Sequence, residues 1–131
     1  MLKLLIATVV LFHGVGHILF LAPTIRLASW GQTGHSWVMT PVLGDGIARI
    51  LGAGLWTAAI VLFVAAFGGL VMSAEWWRAV AIGGALVSLG GIVLMWDGIA
   101  PSNAFFALAF DLVVLVALLW ARWPSAELVG S

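Results

Sequence analysis

The stretch His13-Gly14-Val15-Gly16-His17 decides how this chain is read. It lies inside an apolar run, residues 2–22, in which Lys3 is the one Lys, Arg, Asp or Glu. A run of about 20 such residues is what a helix needs to cross a bilayer. On a helix, two imidazoles four residues apart share a face. The two glycines beside them let a second backbone, or a ligand, come close. Polar groups at that depth are costly and need partners. The rest of the sequence is therefore read for what these histidines face.

Composition supports the membrane reading. Of 131 residues 64% are hydrophobic and 8% charged, with a mean hydropathy of +1.23. A water-facing surface takes about 25% charged residues, so this chain cannot cover one. The net charge is +0, from five basic and five acidic residues, and no basic patch points to nucleic acid. With no cysteine, disulfides, thiol redox chemistry and Cys-ligated metals are excluded. Nothing reads as a linker, so residues 1–131 are expected to form a single membrane domain. Lys3 followed by an apolar stretch resembles the start of a signal peptide. However, no small-x-small cleavage site follows and the apolar pattern resumes after His17, so the segment reads as a transmembrane helix.

Four spans are expected, at about residues 2–22, 44–72, 76–96 and 103–123. Pro23 and Pro124 read as stops, and Ser73 and Asn103 as candidate N-caps. The fold class is then all-α: an integral membrane four-helix bundle, antiparallel and up-down, with one long outer loop, residues 23–43, between the first two spans. Lys3, Arg78 and Arg122 fall on one side, Arg26 and Arg49 on the other. The bias toward basic residues inside puts both termini in the cytoplasm. Trp76, Trp77, Trp120 and Trp123 on that side, with Trp30, Trp37 and Trp96 opposite, read as an aromatic belt. Glycine pairs such as Gly83-Gly84 and Gly90-Gly91 read first as helix-packing surfaces.

The polar residues are unevenly placed in depth. At 1.5 Å of rise per residue, His17 lies roughly 8 Å and His13 roughly 14 Å below the outer surface. Asp111 lies roughly 12 Å down from the same side, by the same rise. Asp45 and Arg49 open the second span there, one turn apart, and share a face with Gly52 and Trp56. Asp45 and Arg49 read either as a structural ion pair or as a ligand clamp, with Arg49 on a polar head and Asp45 orienting it. Asp111 must be paired or protonated, and its expected partner is a first-span histidine or Arg49. For the histidines, metal binding needs a third ligand, which Asp111, Asp45 or His35 could supply. The H-E-x-x-H pattern is absent because position 14 is glycine, and haem is disfavoured because both histidines lie on one face. Acid–base or quinone-binding chemistry suits a His/Arg/Asp pocket in an apolar wall.

The length, the four spans, the H-G-x-G-H pattern at 13–17 and the run Gly44-Asp45-Gly46-Ile47-Ala48-Arg49 resemble the DoxX-like group of small four-helix bacterial membrane proteins. That group includes a subunit of a thiosulfate:quinone oxidoreductase. The resemblance implies a bacterial inner-membrane location and a quinone-linked or redox-associated role, and carries over no catalytic residue.

The expectation is thus an outward-facing pocket, roofed by the 23–43 loop, that binds a small amphipathic ligand, a quinone or a lipid-like molecule. His13, His17 and Asp111 would carry proton-transfer or redox chemistry, and Arg49, Asp45 and Trp56 would bind the ligand. No metal is assigned. The other reading is a non-catalytic subunit of a membrane redox complex. Expected partners are the bilayer, the hydrophobic ligand, and a second copy or a partner subunit. Whether the protein is an enzyme is left open.

Overall fold

The computed structural model describes residues 1–130. They form helices α1 (Leu2–Gly16), α2 (Ile18–Thr24), α3 (Met39–Leu43), α4 (Asp45–Val71), α5 (Trp77–Leu94), α6 (Pro101–Leu115) and α7 (Ala126–Val129), with no strand among them. A 3₁₀ turn (Trp96–Gly98) precedes α6 and a π turn (Val116–Trp120) continues it. Four segments are long and apolar enough to cross a membrane: Leu2–Thr24, Asp45–Val71, Trp77–Leu94 and Pro101–Trp120. Large apolar side chains such as Phe12, Ile50, Val61, Leu86 and Phe106 face outward, as a lipid-contacting surface requires.

Each boundary has a local cause. Gly44 takes φ +82° just before α4, a left-handed conformation that suits glycine. Pro101 sits in the first turn of α6, where its missing N–H costs nothing. Three expected boundary residues do other work. Pro23 does not stop the first span but lies inside α2. It cannot donate to the carbonyl of Leu19, and the side-chain amide of Gln32 donates to that carbonyl instead, at 3.0 Å. Ser73 does not cap α5: its backbone is left-handed, it accepts from Lys3, and it donates to the Val129 carbonyl. Asn103 falls inside α6 rather than before it. The aromatic belt also loses a member, because Trp77 is buried in the core.

The packing order is α1 on α4, α4 on α5, and α5 on α6. Along α4 and α5 the register is fixed by glycine. A Cβ at Gly69 would meet Trp76 and Trp77, one at Gly84 would meet Leu62 and Phe63, and one at Gly91 would meet Trp56. Close approach at small residues replaces the hydrophobic drive that lipid does not supply. α1 and α6, the outer helices of this series, do not pack closely along their length. They meet through side chains.

The 23–43 segment is tied down by bonds to helix ends. The Trp37 indole donates to the Val93 carbonyl and the Ser36 hydroxyl to that of Leu94, two groups that the last turn of α5 leaves unpaired. Thr33 and Gly34 donate to the Gly98 carbonyl, and the Gln32 side-chain oxygen Oε1 accepts from Ala100 N–H. His35 pairs with Asp97 at the surface.

Candidate functional site

The buried apolar side chains fall into two clusters, and a polar layer separates them. On one side lie Ala7, Val10, Phe63, Ala66, Leu70, Trp77, Ala85 and Val114. On the other lie Phe20, Trp56, Ile92, Met95, Ala104 and Ala107. Between them in the order of each helix stand His13 and His17, Ser88 on α5, and Asp111 on α6. Of the four long segments, all but α4 thus contribute a polar group at one level, and α4 contributes Phe63, whose ring lies 4.7 Å from that of His13 and 5.8 Å from that of His17.

The bonds within this layer define what each group can do. His13 Nε2 lies 2.8 Å from Asp111 Oδ1, so the expected partner of Asp111 is a histidine and not Arg49. His13 also stacks on Phe110, with centroids 3.9 Å apart and planes 20° apart. The helix breaks at His17. Its N–H bonds to the Gly14 carbonyl, three residues back, while its ring Nδ1 takes the His13 carbonyl at 2.9 Å. Two glycines weaken the helix there, and a ring N–H then competes for the carbonyl that the backbone would use. A carbonyl only accepts, so Nδ1 carries the proton. In the neutral imidazole Nε2 is then an acceptor, and Ser88 Oγ stands 2.7 Å from it. Asp111 is fully buried, and its Oδ2 has no hydrogen-bond partner among the described residues. His13 Nδ1 has none either.

Beside this layer runs a groove of about 490 Å³ between α1, α2 and α6, lined by His13, His17, Gly16, Phe20, Asn103 and Phe110, among others. Its rim carries Phe12 and Phe106, 70% and 72% exposed. The groove therefore opens on the flank of the bundle, and no residue of the 23–43 loop lines it. The loop does not roof the histidines; its residues Thr24, Ile25 and Arg26 line a separate recess of about 350 Å³ with Asp45 and Arg49. A second groove of about 280 Å³, lined by Ile6, Val9, Val10, Phe110, Val113 and Leu118 among others, shares Val9 and Phe110 with the first. Together they follow the seam between α1 and α6.

Arg49 and Asp45 lie elsewhere, so the single pocket expected from depth divides into two places, while Trp56 stays beside the layer with its ring 6.1 Å from that of His17. Arg49 donates from Nε to Asp45 Oδ2 at 2.8 Å, and from its two terminal nitrogens to the carbonyls of Pro23, Thr24 and Thr33. Arg26 donates to the same Asp45 oxygen at 2.7 Å. The donors of Arg49 are thereby spent on Asp45, on the two carbonyls at the end of α2 and on a loop carbonyl. Trp56 is fully buried against Gly91 and Phe20, and its indole N–H has no partner among the described residues. It does not line the groove. Ser88 is the member of the layer that sequence reasoning does not single out. Its signal was that it is the only hydroxyl in α5, at the depth of the histidines.

No family model, curated protein or solved structure matches the chain. The site is therefore argued from its own geometry. One consequence is testable at Arg49. Arg49→Ala should free the 23–38 segment, raising its backbone hydrogen exchange and its cleavage by protease at least tenfold. Arg49→Lys should rescue little, because one ammonium cannot reproduce the planar fork. Unchanged exchange in Arg49→Ala would show that the remaining bonds hold the segment unaided.

Proposed function

We propose that this is a multi-pass membrane protein that takes a small amphipathic molecule from the bilayer, with its polar head against His13 and His17 and its apolar tail along the α1–α6 seam. The observation that carries this reading is His13. Asp111 engages one ring nitrogen, while the other has no partner and the ring lines a groove open to the flank. A neutral His13 donates from Nε2 to the carboxylate and offers Nδ1 as an acceptor to a hydroxyl. A protonated one offers Nδ1–H to a carbonyl. A quinone or quinol presents these two groups, and proton exchange with the His13–Asp111 pair is the chemistry that such a contact permits. A lipid-like head bearing a hydroxyl or carbonyl would fit the same nitrogen. The aromatic walls, Phe20, Phe106 and Phe110, suit a flat head group, and the wholly apolar second groove suits a chain.

In this reading the bundle is antiparallel and up-down, in a bacterial inner membrane, with both termini cytoplasmic. The falling-against-rising register of α4 and α5 supports the antiparallel part, and the distribution of arginines the orientation. The likeness to DoxX-like proteins belongs to the same proposal. Asp45 and Arg49 serve here as a fastening of the loop rather than as a ligand clamp.

The test is retention of a decyl-tailed benzoquinone, with a fatty alcohol as the lipid-like probe, on purified protein in detergent. His13→Gln should weaken retention of the preferred probe at least tenfold, about 1.4 kcal/mol. Equal retention by both proteins would overturn the reading. A second reading, a subunit role, is favoured by Gly54, Gly68 and Gly90, where a Cβ would meet nothing within 4 Å. Small outward residues let a partner helix approach. Co-purification of a stoichiometric second chain that blocks probe binding would favour it.

A further inference from the structure

We propose that His13, His17 and Asp111 form a binding site for one divalent first-row transition ion of the zinc type. One ligand atom from each of the three residues lies within 4.8 Å of those of the others, and they are the only such group among the described residues. The third ligand that the histidine pair required is therefore Asp111. Asp45 is engaged by Arg26 and Arg49, and His35 by Asp97.

Three features favour an ion over a packing cluster. The first is the unpartnered Oδ2 of a fully buried carboxylate. A buried carboxylate oxygen without a donor is costly, and a cation bound to Asp111 removes that cost. The second is the orientation of His17. Its Nδ1–H is held by the His13 carbonyl, which is how a protein fixes the tautomer of a metal-ligating histidine, leaving Nε2 with its lone pair. Ser88 is the group that the ion would displace from it. The third is that the two imidazoles stand edge to face, 4.8 Å apart and 85° between planes, so the rings do not block each other's lone pairs. Donor atoms around a tetrahedral ion at about 2.0–2.1 Å stand roughly 3.3 Å apart. The present group needs small ring and carboxylate rotations to reach that. Two imidazoles and one carboxylate make a donor set with positions left open, and the adjoining groove gives a ligand access to them. Binding would take the place of the proton between His13 and Asp111: an imidazolium would release it, and a neutral imidazole would carry it on Nδ1 instead. Magnesium, which prefers oxygen ligands and keeps its waters, should not compete.

The inference does not depend on the amphipathic-ligand reading, and its test contains no quinone or lipid probe. Purified protein in detergent is stripped with a chelator and titrated with Co²⁺ and with Zn²⁺, following the visible absorption of bound Co²⁺, proton release, bound metal per chain and melting temperature. The expected result is one ion per chain, a Zn²⁺-dependent rise in melting temperature, and no effect of Mg²⁺. Asp111→Asn and His17→Gln should each weaken binding at least tenfold. Ser88→Ala should bind as well as the parent or better, and His35→Gln should leave the count at one. Wild-type protein that binds less than about a tenth of an equivalent would overturn the proposal, whatever the variants do. So would equal binding by Asp111→Asn and His17→Gln, or loss of the ion in His35→Gln alone.

Discussion

His13→Ala is expected to lower stability by about 3 kcal/mol or more, the range seen when one partner of a buried ion pair is removed. Asp111 is fully buried and already lacks a partner at Oδ2. Taking away the imidazole leaves both oxygens unsatisfied and a cavity against Phe110 and Phe63. The same logic makes the loss reversible from the other side. In the His13→Ala background, Asp111→Leu should regain much of the stability, because no carboxylate remains to be desolvated. The pair His13→Phe with Asp111→Leu should come close to the parent, since apolar groups of similar volume often replace a buried pair without loss. Both double variants should lose probe retention. Unfolding in mixed micelles, monitored by tryptophan fluorescence, checks the series. A His13→Ala loss near 1 kcal/mol would instead mark an ordinary neutral hydrogen bond.

Depth along a helix was readable because the rise per residue is fixed. That placed His13 and Asp111 at one level, and they bond. Azimuth was harder to read, since it depends on which face each helix turns inward. Arg49 illustrates this. Depth puts it in the same outer slab as the histidines, but the chain at 23–34 comes back over the start of α4 and offers three carbonyls to its guanidinium. Nothing local in the sequence encodes that return. Pro23 shows a related gap. The imino acid announces an unpaired carbonyl four residues back, but which side chain satisfies it (here Gln32) follows from the tertiary path. Ser88 was visible as a hydroxyl in an apolar helix, yet its small size made it equally a packing residue. The four spans themselves were legible to within about two residues at most ends, because length and composition fix them. The flank opening was not, because no sequence pattern states that α1 and α6 fail to close against each other.

The two glycines of the histidine stretch should respond differently to the same substitution. A Cβ at Gly14 would lie 2.5 Å from the Cβ of Phe63, with the Ile60 carbonyl 3.6 Å away. The Phe63 Cβ is anchored to its own backbone and cannot swing aside, so α1 and α4 must part. Overpacking of this kind costs about 1–3 kcal/mol, and Gly14→Leu should exceed that. The displacement also reaches the site, because the Phe63 ring packs on both imidazoles. Gly14→Ala should therefore weaken probe retention and metal binding along with stability. At Gly16 a Cβ would meet nothing within 4 Å. Gly16→Ala should be neutral or stabilise slightly, by up to about 1 kcal/mol from helix propensity. Gly16 lines the flank groove, so Gly16→Leu should fill it, cutting probe retention while stability holds. Paired melting and retention measurements on the four variants check this. If Gly14→Ala is as well tolerated as Gly16→Ala, α1 and α4 are not packed as closely as the Gly14–Phe63 contact requires. If Gly16→Leu leaves retention intact, the ligand does not enter along the α1–α6 seam.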